Sequence, residues 1–179
     1  ISDQAGANAS SGALAANYTL TGGTHSFAIN PKAVNITGTR QYNGTTNIPS
    51  SDISGITGTV NTETLTMSSG LGSTSSANVG TYNLTDTSAG TLALGNGSNG
   101  GLASNYTLTG GTQDYTITQR VLNSSGSKTY NANTNALAAD ITLSNLVSGE
   151  ALNHSGTATI GSPNAASYTI SNLSGITIA

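Results

Sequence analysis

Apolar and polar residues alternate with a period of two in several stretches of this chain. Tyr18-Thr19-Leu20, Val34-Asn35-Ile36, Tyr106-Thr107-Leu108 and Tyr168-Thr169-Ile170 all carry the pattern. Such a period puts every second side chain on one face of a strand. The polar partner is usually Thr, a good strand former. Strands are therefore predicted near 32–37, 39–42, 52–57, 63–68, 80–85, 89–94, 104–109 and 112–118. Gly110-Gly111 between the last two predicts a hairpin, because primed turns need φ > 0. Thr21-Gly22-Gly23-Thr24 predicts a second such hairpin. The run 95–101, rich in Gly, Asn and Ser, is read as a flexible loop. No stretch of useful length has helical periodicity. The best candidate, 133–140, is Ala-rich but short, and its counterpart 45–52 contains Pro49, so a loop is expected there.

The chain also repeats itself at a spacing of 88 residues. Asn17-Tyr18-Thr19-Leu20-Thr21-Gly22-Gly23-Thr24 returns as Asn105-Tyr106-Thr107-Leu108-Thr109-Gly110-Gly111-Thr112. Phe27-Ala28-Ile29 returns as Tyr115-Thr116-Ile117, and Lys32-Ala33-Val34-Asn35 as Arg120-Val121-Leu122-Asn123. A solenoid coil is shorter, about 20–50 residues, whereas a β-sandwich domain runs to about 100. The expected class is all-β, as tandem Ig-like β-sandwich repeats. Residues 1–30 form the end of a preceding repeat, 31–118 a complete repeat, and 119–179 the first two thirds of the next. Ile1 is read as an internal position of something longer or a processed end. The two copies keep their apolar positions while the polar ones drift, as a buried face requires. That favours a folded chain over a disordered one. The expected core of the complete repeat is Val34, Ile36, Ile53, Ile56, Leu65, Tyr82, Leu84, Leu92, Tyr106, Leu108, Tyr115 and Ile117.

Composition narrows the function. Only 6% of residues are charged, with a net charge of −3. Four Lys and Arg in all cannot neutralise a phosphate track, which excludes nucleic acid as an expected partner, and they give little attraction to anionic lipid. No apolar run has the length of a transmembrane helix, so no membrane insertion is expected. Cysteine is absent, so the fold has to manage without disulfides.

Gln41-Tyr42-Asn43-Gly44-Thr45-Thr46, together with Asn78-Val79-Gly80-Thr81-Tyr82, Gly149-Glu150-Ala151-Leu152 and the closing Asn-Tyr-Thr-Leu strand, resembles the YDG domain. That family is named for a Tyr-Asp-Gly-Thr-Thr signature and occurs with bacterial Ig-like modules in large haemagglutinin-like adhesins. The signature Asp is replaced by Asn43 and Asn131, and its Gly by Ala132 in the second copy. Ala132 is expected to avoid φ > 0, so that its turn should differ. The resemblance implies no catalytic residues. It implies a stalk module of a secreted or surface-attached bacterial adhesin, active in cell adhesion and biofilm.

Candidate chemistry is sparse. His25 and His154 lack neighbours at zinc-ligand spacing and are read as exposed strand residues. The seven carboxylates form no Asp-x-Asp-x-Asp run. Calcium enters only as a candidate near Asp3 or Asp86, and no other cofactor is expected. Asp52 is equivalent to Asp140, and Glu63 approximately to Glu150, which points to repeated structural hydrogen bonds. The tyrosines are read as core residues with bonded hydroxyls. Lys32 aligns with Arg120 and Lys128 with Arg40, which favours salt bridges or solvated edges over Lys–Asn crosslinks. Asn-x-Ser/Thr sequons leave glycosylation open. No nucleophile, base and orienting group recur together, so no enzyme is expected.

Partners are expected among neighbouring repeats of the same polypeptide, further copies of itself, and host or matrix glycans or proteins. The location is expected to be extracellular, at the bacterial cell surface. Two further readings remain. In one, the chain is a filament or sheath subunit joined by strand donation, with Tyr18, Leu20, Phe27 and Ile29 as inserting side chains. In the other, Thr62-Glu63-Thr64-Leu65-Thr66 marks an ice- or carbohydrate-binding β-protein.

Overall fold

The structure, a computed structural model, describes residues 15–84 and 89–179. The chain divides after Pro31 into two compact units. Of the first, residues 15–31 are described. They hold one short 3-10 turn, Ala15–Asn17, and a bend at Gly22, and contain no strand. The second unit, Lys32–Ala179, is all β apart from single 3-10 turns of three residues among those described.

In the complete repeat the strands are β1 (Lys32–Ala33), β2 (Asn35–Gln41), β3 (Asn47–Pro49), β4 (Ile53–Thr57) and β5 (Leu65–Ser69). They continue as β6 (Leu71–Ser73), β7 (Gly80–Leu84), β8 (Ala93–Asn96), β9 (Tyr106–Thr107) and β10 (Gln113–Thr118). One sheet has the order β4-β2-β10-β7. At its centre β10 runs parallel to β2 and antiparallel to β7, with Tyr115 opposite Gly38 on one side and Tyr82 on the other. The ladders β3-β6 and β5-β8 lie apart from that sheet. Ile48 of β3 packs with Leu84, Tyr115 and Ile117, so the core forms where the β3 ladder meets the β10 sheet.

The expected core holds, with one omission. Val34, Ile36, Leu84, Leu92, Tyr106, Tyr115 and Ile117 are buried, while Ile53, Ile56, Leu65, Tyr82 and Leu108 are half-buried. The omission is Ile48, which is fully buried.

Several local readings are corrected. The predicted strands 32–37 and 39–42 are β1 and an unbroken β2, and the strand expected at 89–94 begins only at Ala93. Both segments read as loops, 45–52 and 133–140, are a three-residue strand followed by a 3-10 turn. The run 95–101 is packed rather than loose. Ser98 N–H bonds Thr64 Oγ1 at 2.7 Å, and a Cβ on Gly101 would lie 1.9 Å from the Thr64 carbonyl.

The Gly110-Gly111 hairpin does not form. β9 pairs with β1 and β10 with β2, both in parallel. Residues 106–118 thus act as one bent strand alongside 32–41. Only Gly110 has positive φ, at 79°, whereas a type I′ hairpin needs two such residues. A Leu108–Gly111 turn, closed by Gly111 N–H to Leu108 O at 3.2 Å, makes the bend. Gly111 is needed because a Cβ there would sit 2.0 Å from Val34 O.

The next repeat holds β11 (Asn123–Gly126), β12 (Asn135–Leu137), β13 (Ile141–Ser144), β14 (His154–Ile160), β15 (Ile170–Asn172) and β16 (Ile176–Ile178). β11-β13 repeats β2-β4, and β12-β14 repeats β3-β6. Ala136, Ile141 and Ala158 form its small core.

Candidate functional site at the repeat junction

β10 ends at Thr118 and β11 begins at Asn123, so four residues carry the chain from one repeat to the next. Because β10 is parallel to β2, both end on the same side. Tyr42 N–H donates to Thr118 O at 2.9 Å, which fixes the residue after β2 beside this crossing. The parallel pairing thereby places Tyr42-Asn43-Gly44-Thr45-Thr46 against the following repeat.

The loop is held from within. Asn43 Oδ1 accepts from Thr45 N–H and Thr45 Oγ1 at 3.2 and 3.1 Å. This position needs only an acceptor oxygen, which Asn supplies as well as Asp. Arg40 reaches across from β2 and donates to the carbonyls of Thr45 and Asn47. In the next repeat Lys128 does the same work, donating to the carbonyls of Asn133 and Asn135 at 2.9 and 2.5 Å. The other cation pair also serves carbonyls: Lys32 donates to Gly58 O, and Arg120 Nε to Asn145 O at 2.5 Å. The expectation of salt bridges or solvated edges is corrected. In each pair the charge clasps the backbone of a turn that lacks other donors.

Across the junction the Tyr42 hydroxyl donates to Glu150. That bond, with lesser contributions from desolvation and from the carboxylate charge, raises the Tyr42 pKa above its ordinary value. Gly44 faces Val147, and a Cβ on Gly44 would lie 3.1 Å from Val147 Cγ1. Arg120 also extends one amino group to Tyr42 O, at 3.5 Å. Glu150, Val147 and Arg120 were not foreseen at this contact. A signal did exist, because Glu150 matches Glu63, whose tyrosine partner has no counterpart within 119–179.

Inside the complete repeat the acids also hold tyrosines. Tyr106 OH donates to Glu63, and Tyr115 OH to Asp52 Oδ2 at 2.9 Å. Burial, and then the bond to Asp52, raise the pKa of Tyr115. The equivalent Asp140 instead accepts Leu137 N–H at 3.2 Å. The expected equivalence of the acids is structural, but each copy uses different donors.

His154 departs from its expected exposure. It is half-buried in β14, with Nε2 3.0 and 3.1 Å from the carbonyls of Ala138 and Ile141. Asp3 and Asp86, the candidates for calcium, lie outside the described residues. Among the described residues no three or more His, Cys, Asp or Glu gather as a metal site. The four residues expected to insert into a neighbour are all at the surface: Tyr18, Leu20, Phe27 and Ile29 are 73%, 63%, 92% and 89% exposed.

A second feature belongs to the 119–179 repeat alone. β11 and residues 166–170 line a cavity of about 740 Å³. In the complete repeat the strands at these two positions, β2 and β7, are separated by β10.

No curated protein and no solved structure matches the chain. The family model described as YDG domain matches residues 28–116, which include the signature loop, its Arg40 clasp and the β10 centre of the main sheet. Residues 28–116 of this chain are a YDG domain.

Proposed function

We propose that this chain is a section of the stalk of a secreted bacterial surface adhesin, in which YDG repeats follow one another as Ig-like β-sandwiches. The observation that carries the reading is the docking of the Tyr42–Thr46 loop on Val147 and Glu150 of the following repeat. A module whose signature residues grip the next module is suited to extending a chain and setting the angle between its links. Neither repeat is assigned any catalysis. The acids Asp52, Glu63 and Glu150 are occupied in holding tyrosine hydroxyls. A low charge density on Thr- and Ser-rich surfaces also suits a spacer that leaves adhesion to other parts of the protein, whose targets would be host or matrix glycans or proteins.

Two measurements test the reading. Antibodies against residues 32–179 should label intact cells of the source bacterium, and labelling only after lysis would remove the surface role. In solution, Tyr42→Phe with Glu150→Gln should widen the distribution of inter-repeat angles seen by small-angle scattering while circular dichroism stays unchanged. An unaltered distribution would show that the junction does not set the angle.

A further inference from the structure

We propose that the cavity between β11 and residues 166–170 is an acceptor slot for a β-strand, and that its occupant is Thr24–Asn30 of a second copy of this chain. The inference is independent of where the repeats are displayed.

The slot is defined by the complete repeat. There β10 lies between β2 and β7, and its inward residues Gln113, Tyr115 and Ile117 are 0%, 0% and 1% exposed. β11 repeats β2, and Tyr168-Thr169-Ile170 repeats Tyr82-Asn83-Leu84. Within residues 119–179 nothing takes the place of β10. A gap of one strand therefore separates two edges that each expect a partner, and open strand edges are templates for pairing.

The occupant is defined by residues 18–30, which already carry the geometry of the β9–β10 bend. Gly23 N–H bonds Leu20 O at 3.3 Å, as Gly111 N–H bonds Leu108 O. Gly22 has φ 81° where Gly110 has 79°. Thr21 N–H bonds Thr19 Oγ1 at 3.0 Å, matching Thr109 N–H on Thr107 Oγ1 at 3.1 Å. His25 Nε2 lies 2.6 Å from Leu20 O, and Gln113 Nε2 lies 2.5 Å from Leu108 O. The same turn is built with the same contacts, yet the strand beyond it is unpaired, and its Phe27 and Ile29 are almost wholly exposed.

The register follows from that of β10. His25 would lie opposite Ser124 and Ile170, Phe27 opposite Gly126 and Tyr168, and Ile29 opposite Lys128 and Ala166. All six of these partners line the cavity. Gly126 leaves room for the Phe27 ring as Gly38 does for Tyr115, where a Cβ would come within 2.8 Å of the ring. Backbone hydrogen bonds to both edges would supply the attraction, and the alternating side chains the register. One copy gives its first unit and offers its last repeat, so the contact is head-to-tail and non-closing, and yields filaments rather than rings.

The test uses the full chain and its lack of cysteine. Ser26 and Ser125 are the counterparts of the paired residues Asp114 and Thr37, and both are exposed. Chains carrying Ser26→Cys and chains carrying Ser125→Cys, mixed under mild oxidation, should form a disulfide-linked heterodimer. Light scattering on the unmodified chain should show mass rising with concentration. Phe27→Asp, at a surface position that leaves the fold intact, should abolish that rise. A chain that stays monomeric at high concentration, assembly that survives Phe27→Asp, or assembly without the Ser26–Ser125 crosslink would each overturn the proposal.

Discussion

The complete repeat, 32–118, and the repeat portion that follows it, 119–179, are two renderings of one pattern. Their local parts agree. β2-β4 and β11-β13 pair alike, and Arg40 and Lys128 clasp matching carbonyls. Gly70 and Gly156 both have φ near 100°, each where a Cβ would collide with a carbonyl of the facing strand. The difference is β10. With it, Tyr82 is half-buried, and Asp52 and Glu63 receive tyrosine hydroxyls. Without it, Tyr168 is 37% exposed, Asp140 turns to a backbone N–H, and Glu150 turns to Tyr42 of the repeat before. Turns and two-stranded ladders are thus fixed by nearby residues, whereas the main core depends on one strand paired with a partner far away in sequence. The acids keep their role as acceptors and change donors.

The sharpest way to break this comparison is to remove the anchor of β10. Tyr115→Ala should cost about 3–5 kcal/mol, the usual range for deleting a buried aromatic side chain. Tyr168→Ala, at the exposed counterpart of Tyr82, should cost well under half of that. Urea denaturation of the two variants measures both, and equal losses would mean that the second repeat has a core the cavity conceals. Next in size is a pair of glycines. Gly111→Ala drives a Cβ to 2.0 Å from Val34 O and should cost roughly 1–3 kcal/mol as overpacking. Its counterpart Gly23→Ala meets only the movable His25 ring at 3.1 Å and should be nearly neutral to folding. If the two behave alike, the bend at 108–112 is not held by close backbone approach.

How much of this was legible follows from the same distinction. The period-two runs, the repeat, the all-β class and most core positions could be read from the chain, because they depend on side-chain alternation. Ile48 could not, being a single apolar residue between Asn47 and Pro49 with no alternating partner. The Gly-Gly hairpin was misread because the motif fixes a turn but not which strands it joins. Parallel pairing of 106–118 along 32–41 was invisible at that range. The junction was half legible: the signature loop and the matched acids stood out, but only the positions of β2 and β10 bring Tyr42 to Glu150. The acceptor slot was legible as a missing segment, and its lining was not.

A smaller effect sharpens the contrast through pH. The pKa values of Tyr115 and Tyr106 are raised in the folded chain, the first by burial and then Asp52, the second chiefly by Glu63. The fold thus favours the neutral phenol. That contribution is complete below the ordinary tyrosine pKa, about 10, and is lost as pH rises through the higher folded value. Stability of the complete repeat should fall above that pH. Tyr115→Phe should cost about 1 kcal/mol at neutral pH for the lost hydrogen bond and flatten the alkaline decline. Thermal melts across alkaline pH would show whether the slope changes, and an unchanged slope would remove Tyr115 from the titration.

The smallest expected effect lies in the signature loop, where the two repeats differ by one methyl group. Gly44 has φ 77° and Ala132 has φ 59°, so the second loop adopts the left-handed conformation that its sequence was expected to avoid. The clasp explains how it persists. Lys128 donates to Asn131 Oδ1, Asn133 Oδ1 and two carbonyls, and Asn131 Oδ1 also accepts Asn133 N–H at 3.4 Å. A left-handed residue with a Cβ costs about 1–2 kcal/mol. A glycine there would relieve that cost and return about 0.4–1 kcal/mol of it through the greater freedom of the unfolded chain. Ala132→Gly should therefore stabilise the second repeat by about 0.5–1 kcal/mol, and Gly44→Ala should destabilise the first by a similar amount. The reverse sign in either variant, read from denaturant midpoints, would mean that the two loops do not share a conformation. The gain from Ala132→Gly should shrink when Lys128→Met is added, if the clasp is what holds the strained turn in place.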